Sequence, residues 1–152
     1  VPVVRIAIVG SRRLPRDEAR GIIFNGVAGT PLDAVIVSGA ARGPLRSRTT
    51  VSADREAARA ATFYRRELDE MPADWDTLGL RAGPERNERL VDSLVGQDDR
   101  LTAIWDGVST GTAHVVGLAR RAGKLRRVIT LRRVQAPAKA AAPAASPPSD
   151  EP

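Results

Sequence analysis

Short aliphatic runs that end in glycine alternate along this chain with segments whose apolar residues recur at helical spacing. Val3 to Val9 (VVRIAIV) runs straight into Gly10. A run without polar alternation predicts a strand covered on both faces, as in a parallel sheet. Pro15 then opens a polar first turn, Arg16-Asp17-Glu18, and Ile22, Ile23, Val27 and Ala28 fall near helical spacing before Gly29 and Pro31 stop the segment. Ala34 to Val37 repeats the strand signal and enters a second glycine turn, Ser38 to Gly43. Pro44 to Ser52 has no period and predicts an exposed loop, whereas Ala53 to Ala61 is strongly helix-forming.

Further on, the alternation in Thr62 to Leu68 predicts a strand, and Pro72 to Arg81 predicts a loop. Pro84 suits a helix start, and Leu90, Val91, Leu94 and Val95 extend a helix from about Gly83 to Val95. Leu101 to Trp105 predicts a fourth strand, with Trp105 in the core, ending in Asp106-Gly107. The turn Ser109-Thr110-Gly111-Thr112 leads into a helix with an apolar face of Ala113, Val116, Ala119 and Ala122, and Arg126 to Leu131 supplies a fifth strand. This order predicts an α/β, Rossmann-like doubly wound fold over residues 1–133, a mainly parallel five-stranded sheet with helices on both faces. From Val134 the chain is Ala, Pro and Ser with an acidic tip, which predicts a disordered tail over 134–152.

Composition narrows the chemistry. With 152 residues there is room for one core, and the absence of cysteine removes disulfides and thiolate chemistry. No apolar run approaches the roughly 18 residues of a membrane span, and no leader pattern precedes the first strand, so the expectation is a cytoplasmic protein. The formal charge is +6, carried by arginine, since Lys124 and Lys139 are the only lysines. Arginine forks onto phosphate oxygens as lysine does not, although an Ala- and Arg-rich composition also arises from coding bias.

Three strand ends run into glycine-bearing turns that open helices: Gly10-Ser11-Arg12, Ser38-Gly39 through Gly43, and Asp106-Gly107 through Gly111-Thr112. In an open parallel sheet such ends share one edge, where ligands bind. Glycine allows close backbone approach, and helix-start N–H groups offer donors to an anion. One helix terminus contributes about 0.3–1 kcal/mol and a charged hydrogen bond about 1.5–3, whereas micromolar binding needs about 8. Several groups must therefore converge, and Arg12, Arg42 and Arg86 lie in or beside such turns.

The motifs Val37 to Gly43, Ala53-Asp54-Arg55, Ala73 to Asp76, Ala82 to Asn87 and Trp105 to His114, in that order, resemble those of the YspA/YpsA-related branch of the SLOG superfamily, over about Arg5 to Leu131. The resemblance implies a Rossmann-like fold that binds nucleotides or nucleotide derivatives; relatives include lonely-guy phosphoribohydrolases and the single-stranded-DNA-binding DNA-processing protein A. It also implies that Ser38, Gly39, Arg42 and Gly43 line the phosphate side, that Arg86 and Asn87 contact ligand, and that Gly107, Ser109, Gly111 and Thr112 form a second phosphate-binding turn. Two departures stand out. Pro44 to Ser52 intervenes before Asp54, where the family pattern continues directly, and Val115 occupies the place of the phosphoribohydrolase glutamate.

The leading expectation is thus a binding or sensing module for a nucleotide-derived ligand, with Trp75 offering a surface for a base. The alternatives are a nucleotide hydrolase acting on N-glycosidic or phosphoester bonds through His114, Asp106 or Asp54, and a single-stranded-DNA binder, for which five aromatics supply few stacking platforms. Asp74, Asp76, Asp98 and Asp99 read as turn and capping residues; no metal site is expected, and magnesium would enter only with ligand phosphates. A homo-oligomer is compatible with this reading. Arg42→Ala and Gly111→Val are each expected to abolish nucleotide binding with the fold intact, and unchanged affinity by calorimetry in both would count against the pocket.

Overall fold

The computed structural model describes residues 2–41 and 47–134. Arg42 and Gly43, the start of the Pro44 to Ser52 segment and the expected tail beyond Val134 lie outside the described residues. Among the described residues seven strands and five α-helices follow in order: β1 (Arg5–Gly10), β2 (Leu14–Pro15), α1 (Arg16–Ala28), β3 (Val35–Ser38), β4 (Thr50–Val51), α2 (Ala53–Phe63), β5 (Glu67–Glu70), α3 (Trp75–Leu78), α4 (Ala82–Asp92), β6 (Arg100–Trp105), α5 (Thr110–Arg121) and β7 (Leu125–Thr130).

Five of these strands form one all-parallel sheet in the order β5-β3-β1-β6-β7. The chain winds outward from β1 in one direction, then crosses back to β6 and winds the other way. The doubly wound expectation holds, and the winding reverses between β1 and β6. Period-two alternation divides the strands between two cores. Ala7, Val9, Val35, Val37, Leu101 and Ala103 pack under Leu90 and Val91 of α4, Leu94 just beyond it, and Val115, Val116 and Ala119 of α5; α4 ends at Asp92, short of the expected Val95. Ile8, Ile36 and Ile104 face Ala19, Ile23 and Val27 of α1 and the alanines of α2. Because both faces are covered, the strands need no polar side, which is why they were readable as unbroken aliphatic runs. The one charge inside the first run, Arg5, forms an ion pair with Asp69 of β5 at 2.5 Å.

Three further expectations need correction. Thr62 and Phe63 finish α2 instead of beginning a strand; Arg65 then takes a left-handed turn at φ 55°, and the strand is Glu67–Glu70. It lies at the sheet edge, where charged side chains replace the hydrophobic signal. The expected loop from Pro72 contains the helical turn α3, capped by Asp74 Oδ1 accepting from the Thr77 N–H at 3.1 Å, followed by a 3₁₀ turn over Gly79–Arg81. Within the expected Pro44 to Ser52 loop, Thr50 and Val51 pair antiparallel with Pro15 and Leu14, which ties this segment to the start of α1. Among the described residues no helix is long and apolar enough to cross a membrane.

At the centre of the sheet β1 approaches β6 so closely that a Cβ on Gly10 would lie 1.9 Å from the Ile104 carbonyl oxygen and 2.9 Å from Ala53 Cβ. Gly10→Ala is therefore expected to force β1, β6 and α2 apart and to destabilise the fold by about 1–3 kcal/mol or more, measured by urea denaturation. Parent-like stability would mean that this approach is not a constraint.

Candidate functional site

The crevice outside the carboxyl ends of β1 and β6 is where an open sheet of this winding accepts ligands. Here it is a cavity of about 550 Å³, with Gly10, Arg12, Arg86, Asp106, Ser109 and Gly111 among the residues of its wall. A second cavity of about 370 Å³ is walled by Gly39, Ala40 and Pro72 to Asp76. Arg12, Ala41 and Arg86 line both, so the two form adjoining compartments of one cleft with guanidinium groups at their junction.

The strand-end turns differ in what they present. After β1, the Ser11 backbone N–H donates to the Ile104 carbonyl at 3.0 Å, and the Ser11 hydroxyl accepts from the Asp106 N–H at 3.0 Å. Ser11 is buried and stitches two turns together, while the exposed Arg12 beside it reaches the cleft. Ser38 is buried in the same way, donating to the Asp54 carbonyl at 3.0 Å and accepting from the Ala40 N–H at 3.2 Å. Both hydroxyls support the rim from beneath.

After β6, Gly107 takes φ +82°, and Asp106 Oδ1 accepts from the Val108 and Ser109 N–H groups at 3.0 and 2.8 Å. Burial alone would raise the Asp106 pKa, but these donors, the Ser11 hydroxyl and Arg133 outweigh it and hold the carboxyl below the usual range. Ser109 caps α5, its hydroxyl accepting from the Thr112 N–H at 3.4 Å while its carbonyl accepts from Ala113. Thr110 and Gly111, the first residues of α5, also line this compartment, and N–H groups at that position have no acceptor within the helix. A Cβ on Gly111 would meet nothing within 4 Å, so this wall is open.

Arg86 and Asp54 join the β3 turn to the rest. Arg86 projects from α4 and donates through Nη1 to the Gly39 carbonyl, and through Nε to the Asn87 side-chain oxygen at 3.0 Å. That second bond orients the Asn87 amide, whose nitrogen then donates to the Gly111 carbonyl and to His114 Nδ1, both at 3.2 Å. His114 thus has Nδ1 as an acceptor and is half-buried behind the cleft rather than in its wall. Asp54 lies buried beneath Gly39 and Ala41; its Oδ2 accepts from the Ala41 N–H at 3.0 Å, and Oδ1 has no hydrogen-bond partner. Burial pushes its pKa up to about 6 against the opposing pull of Arg86, the Ala41 N–H and Arg12. Burial likewise draws the Arg86 guanidinium below the usual arginine range, with Asp54 opposing.

Of the residues expected from sequence, Gly10, Arg12, Arg86, Asp106, Ser109, Gly111 and Thr112 meet in one compartment, and Gly39, Trp75, Arg12 and Arg86 in the other. Trp75 is half-exposed, with its indole edge over Gly83. Trp105 is only part-buried, its indole N–H donating to the Ser109 carbonyl at 3.0 Å. Gly107 shapes its turn, and Asn87 acts from behind Arg86. Val115 is packed into the core, so the place of the expected glutamate faces away from the cleft. Arg13 and Arg133 also line the cleft and carried no motif that singled them out. Among the described residues no cluster of His, Cys, Asp or Glu could hold a metal ion. Comparison of the chain with protein-family models, curated proteins and solved structures finds no match.

The raised Asp54 pKa makes stability depend on pH in a definite sense. Its folded value, about 6, lies above the ordinary 3.8, so the folded state holds this proton more tightly than the unfolded state does. The resulting stabilisation is complete below the unfolded value and is lost as pH rises through about 6, a change of order 3 kcal/mol. The parent Tm is expected to carry this falling contribution from about pH 4 to 6.5, and Asp54→Asn to remove it. Superimposable Tm profiles for parent and variant across that window would contradict the assignment.

Proposed function

We propose that the cleft binds a nucleotide or a nucleotide-derived phosphate ligand, with phosphate in the compartment under α5 and the base toward Trp75. One observation carries the reading: three strand-end turns far apart in sequence wall a single cleft that gathers Arg12, Arg13, Arg86 and Arg133 with a helix N-terminus. Guanidinium forks, unoccupied first-turn N–H groups and a half-exposed indole suit a ligand with a phosphate end and a planar end. The order of motifs shared with the SLOG superfamily supports the same reading.

Binding accounts for these residues better than turnover does. Asp106 is held ionised by its own turn, and His114 Nδ1 is engaged by Asn87. Nucleoside monophosphates, NAD and ADP-ribose are accordingly expected to survive incubation with the protein. Products whose formation is lost in Asp106→Ala or His114→Ala would make it a hydrolase instead.

A thermal-shift screen over common nucleotides is expected to find a ligand that stabilises by about 2.7 kcal/mol at a hundredfold excess over its Kd. Arg12 is exposed, so Arg12→Ala is expected to leave the ligand-free Tm unchanged while weakening binding about tenfold or more, read by calorimetry. Equal affinity in Arg12→Ala and in Arg86→Ala would remove the cleft from consideration.

A further inference from the structure

A second basic cavity, of about 470 Å³, shares no wall residue with the cleft. It lies between the first turns of α1 and α2 and the segment that leads into β4, and its wall carries Arg16, Arg20, Arg48, Arg55 and Arg59 with a single carboxylate, Glu56. Glu56 is buried and fully engaged: Arg20 forks onto it through Nε at 3.0 Å and Nη2 at 3.2 Å, and Arg59 Nη1 reaches it at 3.2 Å. Among the described residues Arg16, Arg48 and Arg55 have no carboxylate within ion-pair distance.

Arg16 is the first residue of α1 and Arg55 the third of α2, where the helix dipoles favour negative charge; Asp17 and Glu18 of α1 and Asp54 and Glu56 of α2 supply it in the same turns, but of these only Glu56 lines the cavity. The cavity wall therefore carries an excess of cations, which an anion relieves. Three of the guanidinium groups, those of Arg16, Arg20 and Arg59, are held by hydrogen bonds. The β2–β4 pairing and the Arg16 N–H bond to the Thr49 carbonyl, at 2.9 Å, clamp the Arg48 segment against α1, and Arg16 Nη1 donates to the Arg48 carbonyl at 3.4 Å. Glu56 orients two more guanidinium groups from below.

We propose that this cavity is a second anion site that takes a compact oligophosphate, a run of linked phosphates. Five guanidinium groups around one small concave volume call for several negative charges on few atoms, which linked phosphates provide. The wall holds no aromatic side chain, so it offers no stacking surface for the bases of a single-stranded nucleic acid. The site does not depend on what the cleft binds.

The test is calorimetric titration of the full chain with sodium tripolyphosphate, alongside the double variants Arg48→Ala/Arg55→Ala and Arg12→Ala/Gly111→Val. The cleft variant is expected to keep a tripolyphosphate site, and Arg48→Ala/Arg55→Ala to weaken that site about tenfold or more with unchanged far-UV circular dichroism. Inorganic phosphate is expected to bind the same site at least about tenfold more weakly. Backbone amide shifts of the parent at Arg48, Thr50 and Arg55 on titration provide a reading free of any folding defect. Parent-like affinity in the Arg48/Arg55 variant, amide shifts confined to the cleft, equal binding of inorganic phosphate, or binding of an oligonucleotide without tripolyphosphate would each overturn the proposal.

Discussion

At Gly10 the backbone of β1 comes against the Ile104 carbonyl of β6 with no room for a side chain between them. Because the two strands meet that closely, the Ser11 N–H can reach the same carbonyl, and the Ser11 hydroxyl can accept from Asp106 and lie 3.4 Å from the Thr112 hydroxyl. The turns after β1 and β6 are thereby set relative to each other and to the start of α5. Ala53 meets Gly10 from the α2 side and donates its N–H to the Ser11 carbonyl at 3.1 Å, which brings Asp54 under the β3 turn. One close contact between backbones therefore positions three turns and two helix starts.

The cleft that results carries its polarity in layers. Its surface is arginine and backbone N–H. Beneath lie groups that satisfy one another, Ser11 with Asp106 and Asn87 with Arg86, and deeper still the carboxyl of Asp54 keeps one oxygen without a partner. Buried polar groups fully engaged in this way hold a surface rigidly, since any rotation would strand a donor or acceptor away from water. Arg86 spans the layers, forming part of the wall of both compartments while pinning the Gly39 carbonyl and aligning Asn87.

Much of this was legible in the chain because burial on both faces of a parallel sheet leaves a plain signature. VVRIAIV before Gly10, AVIV before the Ser38 turn and LTAIW before Asp106 marked the central strands and hence the rim they share. The signature fails where burial fails, so the edge strand ELDE was misplaced by several residues. The four-residue helix at Trp75 was too short to display a period, and the two-residue β2–β4 pairing too short to display an alternation. For the candidate site, glycine turns and neighbouring arginines identified the residues, but not their orientation. Ser11 and Arg12 look alike as turn residues, and only tertiary hydrogen bonding sends one inward and the other outward. Arg133 follows β7 without any motif, and its place near Asp106, at 3.8 Å, comes from where the sheet ends.

The cations lining the cleft are arginines without exception among the described residues. A guanidinium keeps its proton throughout the physiological range, and it lacks the primary amine on which acetyl or ubiquitin groups are placed. The positive charge of this rim is thus a fixed property of the fold, insensitive to the modifications that silence lysine-based sites. Regulation of the proposed ligand's occupancy would have to come from elsewhere: from its own concentration, from competing anions, or from the acid lying underneath.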